Sequence, residues 1–275
     1  MEPDKLIRVR HVGFTGFEIE AVARFFAHYS IATPTIPLIR PEFSNPLFLR
    51  LFCESIHNRG LSHVPTGVDH LTAVFDFFLD SVNDKLTREL DLDKHAHLVH
   101  RAVEVLAQLM ATTGQRWIER AVAVQKLNEL HATQSFDKSL LRRLLSEGVL
   151  SDDHFYTANG TVDGIRFSYD RFTDHQIVAY YLREVKRDSP NISFFPGTPI
   201  GDLIRNQSWE NSGLIEALAI QVPERLGKEL PHLIPISYPI AKVAAISDKR
   251  YWRALFGAIT TRSPKGRWRT SIHTC

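Results

Sequence analysis

The sequence predicts a mainly α-helical protein: a helical domain, then a winged helix of three helices plus a β-hairpin, then a C-terminal helical region. Three observations carry that expectation. Apolar residues recur at helical spacing as far as Glu147, the turn signal Asn159-Gly160 sits between two alternating stretches, and Pro and Gly crowd 188–201 before helical periodicity resumes.

Taken in order, KLIRVRHVGF (5–14) alternates toward Gly13 and suits one short strand ending in a turn, with no sheet nearby to join. From Glu18 to Tyr29, Ile19, Val22, Phe25 and Phe26 keep helical spacing, and Thr15 with Glu18 fits a capping box. Pro34, Pro37 and Pro41 keep the next stretch irregular until Pro46, which suits the first turn of a helix with apolar face Leu47, Phe48, Leu51, Phe52 and Ile56. A long helix over about Val68 to Leu90 carries the stripe Leu71, Phe75, Phe78, Val82 and Leu86. Further helices are expected at about 95–112, 116–131 (Ile118, Val122, Leu127, Leu130) and 137–147, the last stopped by Gly148.

Val149-Leu150 and Phe155 to Thr157 read as a strand, and Ile165, Phe167 and Tyr169 alternate on its return. A helix follows from Asp170 to about Lys186. Residues 188–201 read as a linker, and the helical segments near 209–227 and 239–259 are broken by Pro223, Pro231, Pro235 and Pro239. The expected division is 1–40, a helical domain at 41–93, a winged helix at 94–187, the linker at 188–201, and the start of a helical sensor or repeat region at 202–275.

The 275 residues are 44% hydrophobic and 23% charged, enough for two or three packed domains and too apolar for intrinsic disorder. Net charge is +2, so the chain as a whole is not a polycation built to wrap nucleic acid. Positive charge gathers only in 246–275, where Lys249, Arg250, Arg253, Arg262, Lys265, Arg267 and Arg269 face Asp248 alone. The two cysteines, Cys53 and Cys275, exclude a disulfide framework and a Cys-only zinc site, which points to a reducing, cytoplasmic setting. Met1-Glu2-Pro3-Asp4 does not read as a basic and apolar leader, and no run approaches the roughly 18 apolar residues of a membrane span, so neither secretion nor membrane insertion is expected.

Catalytic motifs are scarce. The sequence contains neither G-x-x-x-x-G-K-[ST] nor G-x-G-x-x-G, and TAVFDFFLD (72–80) has a helical period rather than that of an acidic strand. His95, His97 and His100 form H-x-H-x-x-H. On a helix the first two lie about 200° apart and only the second pair shares a face, so a solvated helix start capped by Asp91 or Asp93 is expected, without a metal. Asp174-His175 lacks a G-x-S-x-G partner and reads as part of a polar helix face. The candidate recognition helix of a DNA-binding winged helix offers Lys138, Arg142 and Arg143, offset by Asp137 and Glu147, with Asp152, Asp153 and Asp163 on the wing.

Two stretches are more specific than any of these. PEFSNPLFLRLFCESI (41–56) resembles the segment that follows the ATPase core in NACHT-like members of the STAND class, the signal-transduction ATPases with numerous domains. IRFSYDRFTDHQIVAYYL (165–182) resembles the signature that closes their winged helix, in the form common among bacterial antiviral STAND proteins. The resemblance implies that 1–40 is the last strand and helix of an NTPase core with a proline arm, and that the chain is a section of a longer or split machine. It implies a regulatory piece of an ATP-dependent switch in antiviral defence that closes over ATP or ADP and controls oligomerisation.

Pro46 then matches the proline beside the adenine, with Ser44 where the family usually has glycine. Tyr169 stands where a histidine commonly touches the ADP phosphate. ATP or ADP with Mg enters only with a P-loop module supplied upstream or in trans, so the chain alone is expected to hydrolyse nothing. The implied partners are that module, further copies of the chain and a protein ligand on the sensor side. Membrane and nucleic acid are not among them. The alternative is a winged-helix DNA-binding regulator acting through Lys138, Arg142 and Arg143.

Overall fold

A computed structural model describes residues 13–33, 41–65, 71–133, 135–158, 160–206 and 208–235. The strand expected at 5–14 falls almost wholly outside them, as do the segment 239–259 and the basic end. The described chain is mainly helical, with one small antiparallel sheet.

Helix α1 (Glu18–His28) begins after Phe17, which makes no side-chain cap. The expected Thr15 cap is thus not at the helix start, although the Glu18 carboxylate does reach back to accept from the Gly16 N–H at 3.0 Å. Helix α2 (Pro46–Asn58) has Pro46 in its first turn, as the sequence suggests, where its missing N–H costs nothing; the structure adds a cap, Asn45 accepting from the Phe48 N–H at 3.1 Å. Helix α3 (Leu71–Leu90) buries the whole stripe Leu71, Phe75, Phe78, Val82 and Leu86.

Helix α4 (Leu98–Thr113) lies between α3 and α7 (Asp170–Arg183), with Val99, Ala102 and Leu106 sealed from solvent. Asn83 of α3 stitches this joint, donating to the Lys94 carbonyl at 3.0 Å and accepting from the Val99 N–H at 3.2 Å. A buried amide placed in this way satisfies an N–H that the first turn of α4 leaves without a helical partner.

Ile118, expected on a helix face, instead belongs to β1 (Ile118–Glu119), which pairs antiparallel with β3 (Gly160–Phe167) through Ile118 opposite Ile165. A β-branched residue opposite a buried isoleucine gains more from sheet packing than local helical periodicity offers. Helices α5 (Arg120–Leu130) and α6 (Leu140–Ser146) follow, Gly148 turns the chain at φ +69°, and β2 (Leu150–Thr157) pairs with β3 from Leu150 opposite Phe167 to Thr157 opposite Gly160. The sheet order is β1-β3-β2.

Residues 188–201 do not hang free as a linker. Pro190 and Phe194 are buried in a short 3-10 helix, Ile200 is buried at the start of α8 (Pro199–Arg205), and both segments pack together. The prolines break helices here, as expected, but the apolar residues between them hold the pieces to the body. Pro223 likewise fails to end α9 (Ser212–Leu226): it lies inside the helix, forfeits one bond to the carbonyl four residues earlier, and Gly227 at φ +64° ends the helix. One continuous apolar cluster runs from Ala21 to Ile234, and the expected boundaries at 93/94 and 188–201 do not interrupt it. No described helix is long and apolar enough to cross a membrane.

Candidate functional site

The two motif stretches meet. The chain enters α2 through a 3-10 turn at Pro41–Ser44, and Phe14 donates its N–H to the Ser44 carbonyl at 2.7 Å. Gly13 lies against the same carbonyl at φ +65°, where a Cβ would overlap Ser44 O and come within 3.3 Å of Pro46 Cδ. Only glycine fits both the left-handed backbone and this close approach. The turn before α1 is therefore seated directly on Ser44 and Pro46.

Tyr169 is the extended residue that precedes α7 (φ −132°, ψ 119°). Its ring lies 5.6 Å from Phe48 and 6.3 Å from Phe75, centroid to centroid, so the residue that follows Pro46 by half a turn touches the end of the hairpin. Phe75 centres this cluster, with Phe172 at 5.0 Å and the His175 ring at 5.1 Å, all in edge-to-face geometry that suits aromatic quadrupoles. The enclosed space between these rings is about 20 Å³, bounded by Phe48, Leu51, Phe75, Tyr169 and Phe172. That holds at most about one water and no adenine, so the seam is a packed joint, entered from Pro46 two residues before Phe48.

A cleft of about 520 Å³ opens beside α7, lined by Arg116, Asp174, Tyr181, Glu210 and Gly213 among others. Asp174 and His175, expected on a polar surface, are both buried, at 3% and 1% exposure. They diverge: Asp174 pairs with Arg116 Nη2 at 2.9 Å, while His175 Nε2 meets Thr72 Oγ1 at 3.0 Å. Consecutive helical residues lie about 100° apart, which separates the acid from the base and leaves no dyad.

Burial pushes the Asp174 carboxyl up to about 6, opposed by Arg116 and reinforced by Asp170 and Glu216. Arg116 Nη2 also donates to the Glu210 carbonyl at 2.7 Å, which carries the ion pair toward the start of α9. Thr72 donates in turn to Glu224, and Gln221 Nε2 donates to the His175 carbonyl at 2.8 Å. These contacts tie α7 to α3 and α9. Sequence could flag the residue types, but Arg116, Thr72 and Gln221 come from remote segments, and nothing local announces the pairing.

Helix α6, the candidate DNA-reading element, has seven residues. Arg143 Nη1 is held by Glu89 of α3 at 2.9 Å, and Glu147 at the same end pairs with Lys85 at 2.7 Å. Lys138 and Arg142 remain exposed. On the hairpin, Asp152 faces Arg120 at 3.3 Å, Asp153 faces Arg166 at 3.4 Å and Asp163 faces His154 at 2.7 Å. The surface is of mixed sign rather than a basic stripe.

Compared with known proteins, the chain matches no family, no curated protein and no solved structure.

Proposed function

We propose that the chain is the regulatory, nucleotide-covering part of a STAND or NACHT-like ATP-dependent switch, with α4, α5 and α6 and the β2–β3 hairpin forming its winged helix. One observation carries this reading: the NPLF segment and the FSYD segment, the two stretches that resemble the family, converge through Phe48 and Tyr169. Gly13 seated on Ser44 and Pro46 supports it further, because a turn resting on the segment that enters α2 is the contact such an arm would make.

In this reading a P-loop module outside these residues holds the phosphates and Mg. The Pro46 segment caps the adenine, and the Phe48–Tyr169 seam moves as one lid. Tyr169 offers a single phenolic donor and no charge near neutral pH, so it can orient a phosphate oxygen but cannot neutralise it. A sensed ligand acts by binding the open, ATP-bound state more tightly than the closed ADP state, which releases the lid for self-assembly and antiviral signalling. The DNA-binding alternative is weaker, because Glu89 already holds one of its three cations.

The test is ADP binding by the full chain in the presence and absence of a P-loop ATPase from the same or adjacent reading frame. Binding should require both, and Tyr169→Ala should weaken it. Micromolar binding to the chain alone would contradict the proposal, and salt-dependent binding of duplex DNA lost on Arg142→Ala would favour the regulator instead.

A further inference from the structure

We propose that Asp80, His97 and His100 hold a divalent cation of the zinc class that joins α3 to α4, a site independent of the nucleotide reading. The H-x-H-x-x-H stretch does not fold as one helix. Lys94–Ala96 is a 3-10 turn in which Asp93 accepts from the His95 N–H at 2.9 Å, and His97 then takes a left-handed backbone (φ 46°, ψ 46°) before α4 begins. That break turns His95 away and leaves His97 beside His100, their rings 5.5 Å apart. The third donor comes from the facing helix.

Among the described residues, one donor atom from each of Asp80, His97 and His100 lies within 4.8 Å of the others. Asp80 Oδ1 stands 3.3 Å from His100 Nε2. Two donors each about 2.0–2.1 Å from a tetrahedral zinc are separated by about 3.4 Å, so this pair already has the spacing a metal needs. The exposed His97 ring can close the remaining gap by rotation.

The other carboxylate oxygen, Asp80 Oδ2, faces Arg59 Nη2 at 3.5 Å. Arg59 is itself fixed over the Phe77 ring at 4.4 Å and also faces Asp84 at 3.8 Å, so it orients the Asp80 carboxylate and leaves Oδ1 for the metal. A water can complete the shell. Two carboxylates, Asp80 and Asp84, against the one Arg59 guanidinium leave the locality negative before a cation arrives. Two imidazoles and a carboxylate suit zinc, cobalt or nickel better than calcium or magnesium, which prefer oxygen.

The experiment is calorimetric titration of the full chain with zinc chloride, paired with cobalt absorption and thermal unfolding. One zinc per chain should bind, cobalt should give the intense visible bands of tetrahedral coordination, and saturation should raise the unfolding midpoint. His100→Gln and Asp80→Asn should weaken binding more than ~10-fold, and His95→Gln should not. His97→Asn is the decisive variant, since asparagine tolerates the left-handed backbone and the ring it replaces is exposed. Stoichiometric binding that survives His97→Asn, or no saturable zinc binding to the unmodified chain, would overturn the proposal.

Discussion

Phe48 and Tyr169 pack ring against ring at 5.6 Å, joining the start of α2 to the end of the hairpin. Phe48 is 4% exposed, while Tyr169 is only half-buried. Phe48→Ala should therefore cost about 3–5 kcal/mol, the usual loss for a large aromatic side chain removed from a packed core. Tyr169→Phe keeps the ring and should cost less than Phe48→Ala, at most the worth of one hydrogen bond, about 1–2 kcal/mol. Urea unfolding midpoints of the two variants check this. Equal losses would mean that the phenol, not the packing, holds the seam.

Gly213 and Asp174 form a second tight pair, since a Cβ on Gly213 would overlap the Asp174 carboxylate. Gly213→Ala must push Asp174 off Arg116 or shift α9 away from α7, at about 1–3 kcal/mol. Combined with Asp174→Ala, which removes the obstruction, its loss should be smaller than the sum of the single losses by about 1 kcal/mol. A double-mutant cycle by chemical denaturation measures this coupling, and strict additivity would count against direct contact.

Stability should also depend on pH through Asp174. Its carboxyl titrates at about 6 in the folded chain against an ordinary 3.8, chiefly because of burial, so the folded state binds the proton more tightly than the unfolded state. Stability from this group is thus greatest below about pH 4 and falls as pH rises toward 6, by about 2–3 kcal/mol in all. Asp174→Asn should flatten that part of the profile. Arg116→Gln removes the charge that opposes the shift, and should extend the falling limb to higher pH. Unfolding midpoints between pH 4 and 7 for the three proteins make the comparison; an unchanged slope in Asp174→Asn would place the titration elsewhere.

Cys53 lies fully buried in α2, and burial, with Glu54 beside it, pushes the thiol up to about 12. The reactive thiolate is then nearly absent at neutral pH. Iodoacetamide followed by peptide mapping should leave Cys53 unmodified in the folded chain and label it fully in urea. Labelling of the native chain at the rate of a free thiol would show that α2 opens readily.

How much of this was legible depended on where each residue finds its partner. The stripe Leu71 to Leu86 and the helix start at Pro46 are readable because their physics is local: period and proline. Ile118 was misread because two strand residues carry no period, and only Ile165 opposite it makes them a strand. Asp174 and His175 looked like surface residues because the groups that satisfy them, Arg116 and Thr72, lie far away in sequence. Asp80 was invisible as a companion to His97 and His100 for the same reason: it stands on a different helix. In 188–201 the helix breakers are plain in the sequence, whereas the burial of Phe194 depends on partners outside the segment.

The most direct measurement is titration of a fluorescent ADP analogue into the full chain, alone and mixed with the P-loop ATPase encoded with it. The chain alone should give no saturable signal, the mixture should bind, and both Pro46→Ala and Tyr169→Ala should weaken that binding while Lys138→Ala leaves it unchanged. Tight binding by the chain alone, or binding by the mixture that neither substitution affects, would contradict a nucleotide-covering lid built from the Pro46 and Tyr169 segments.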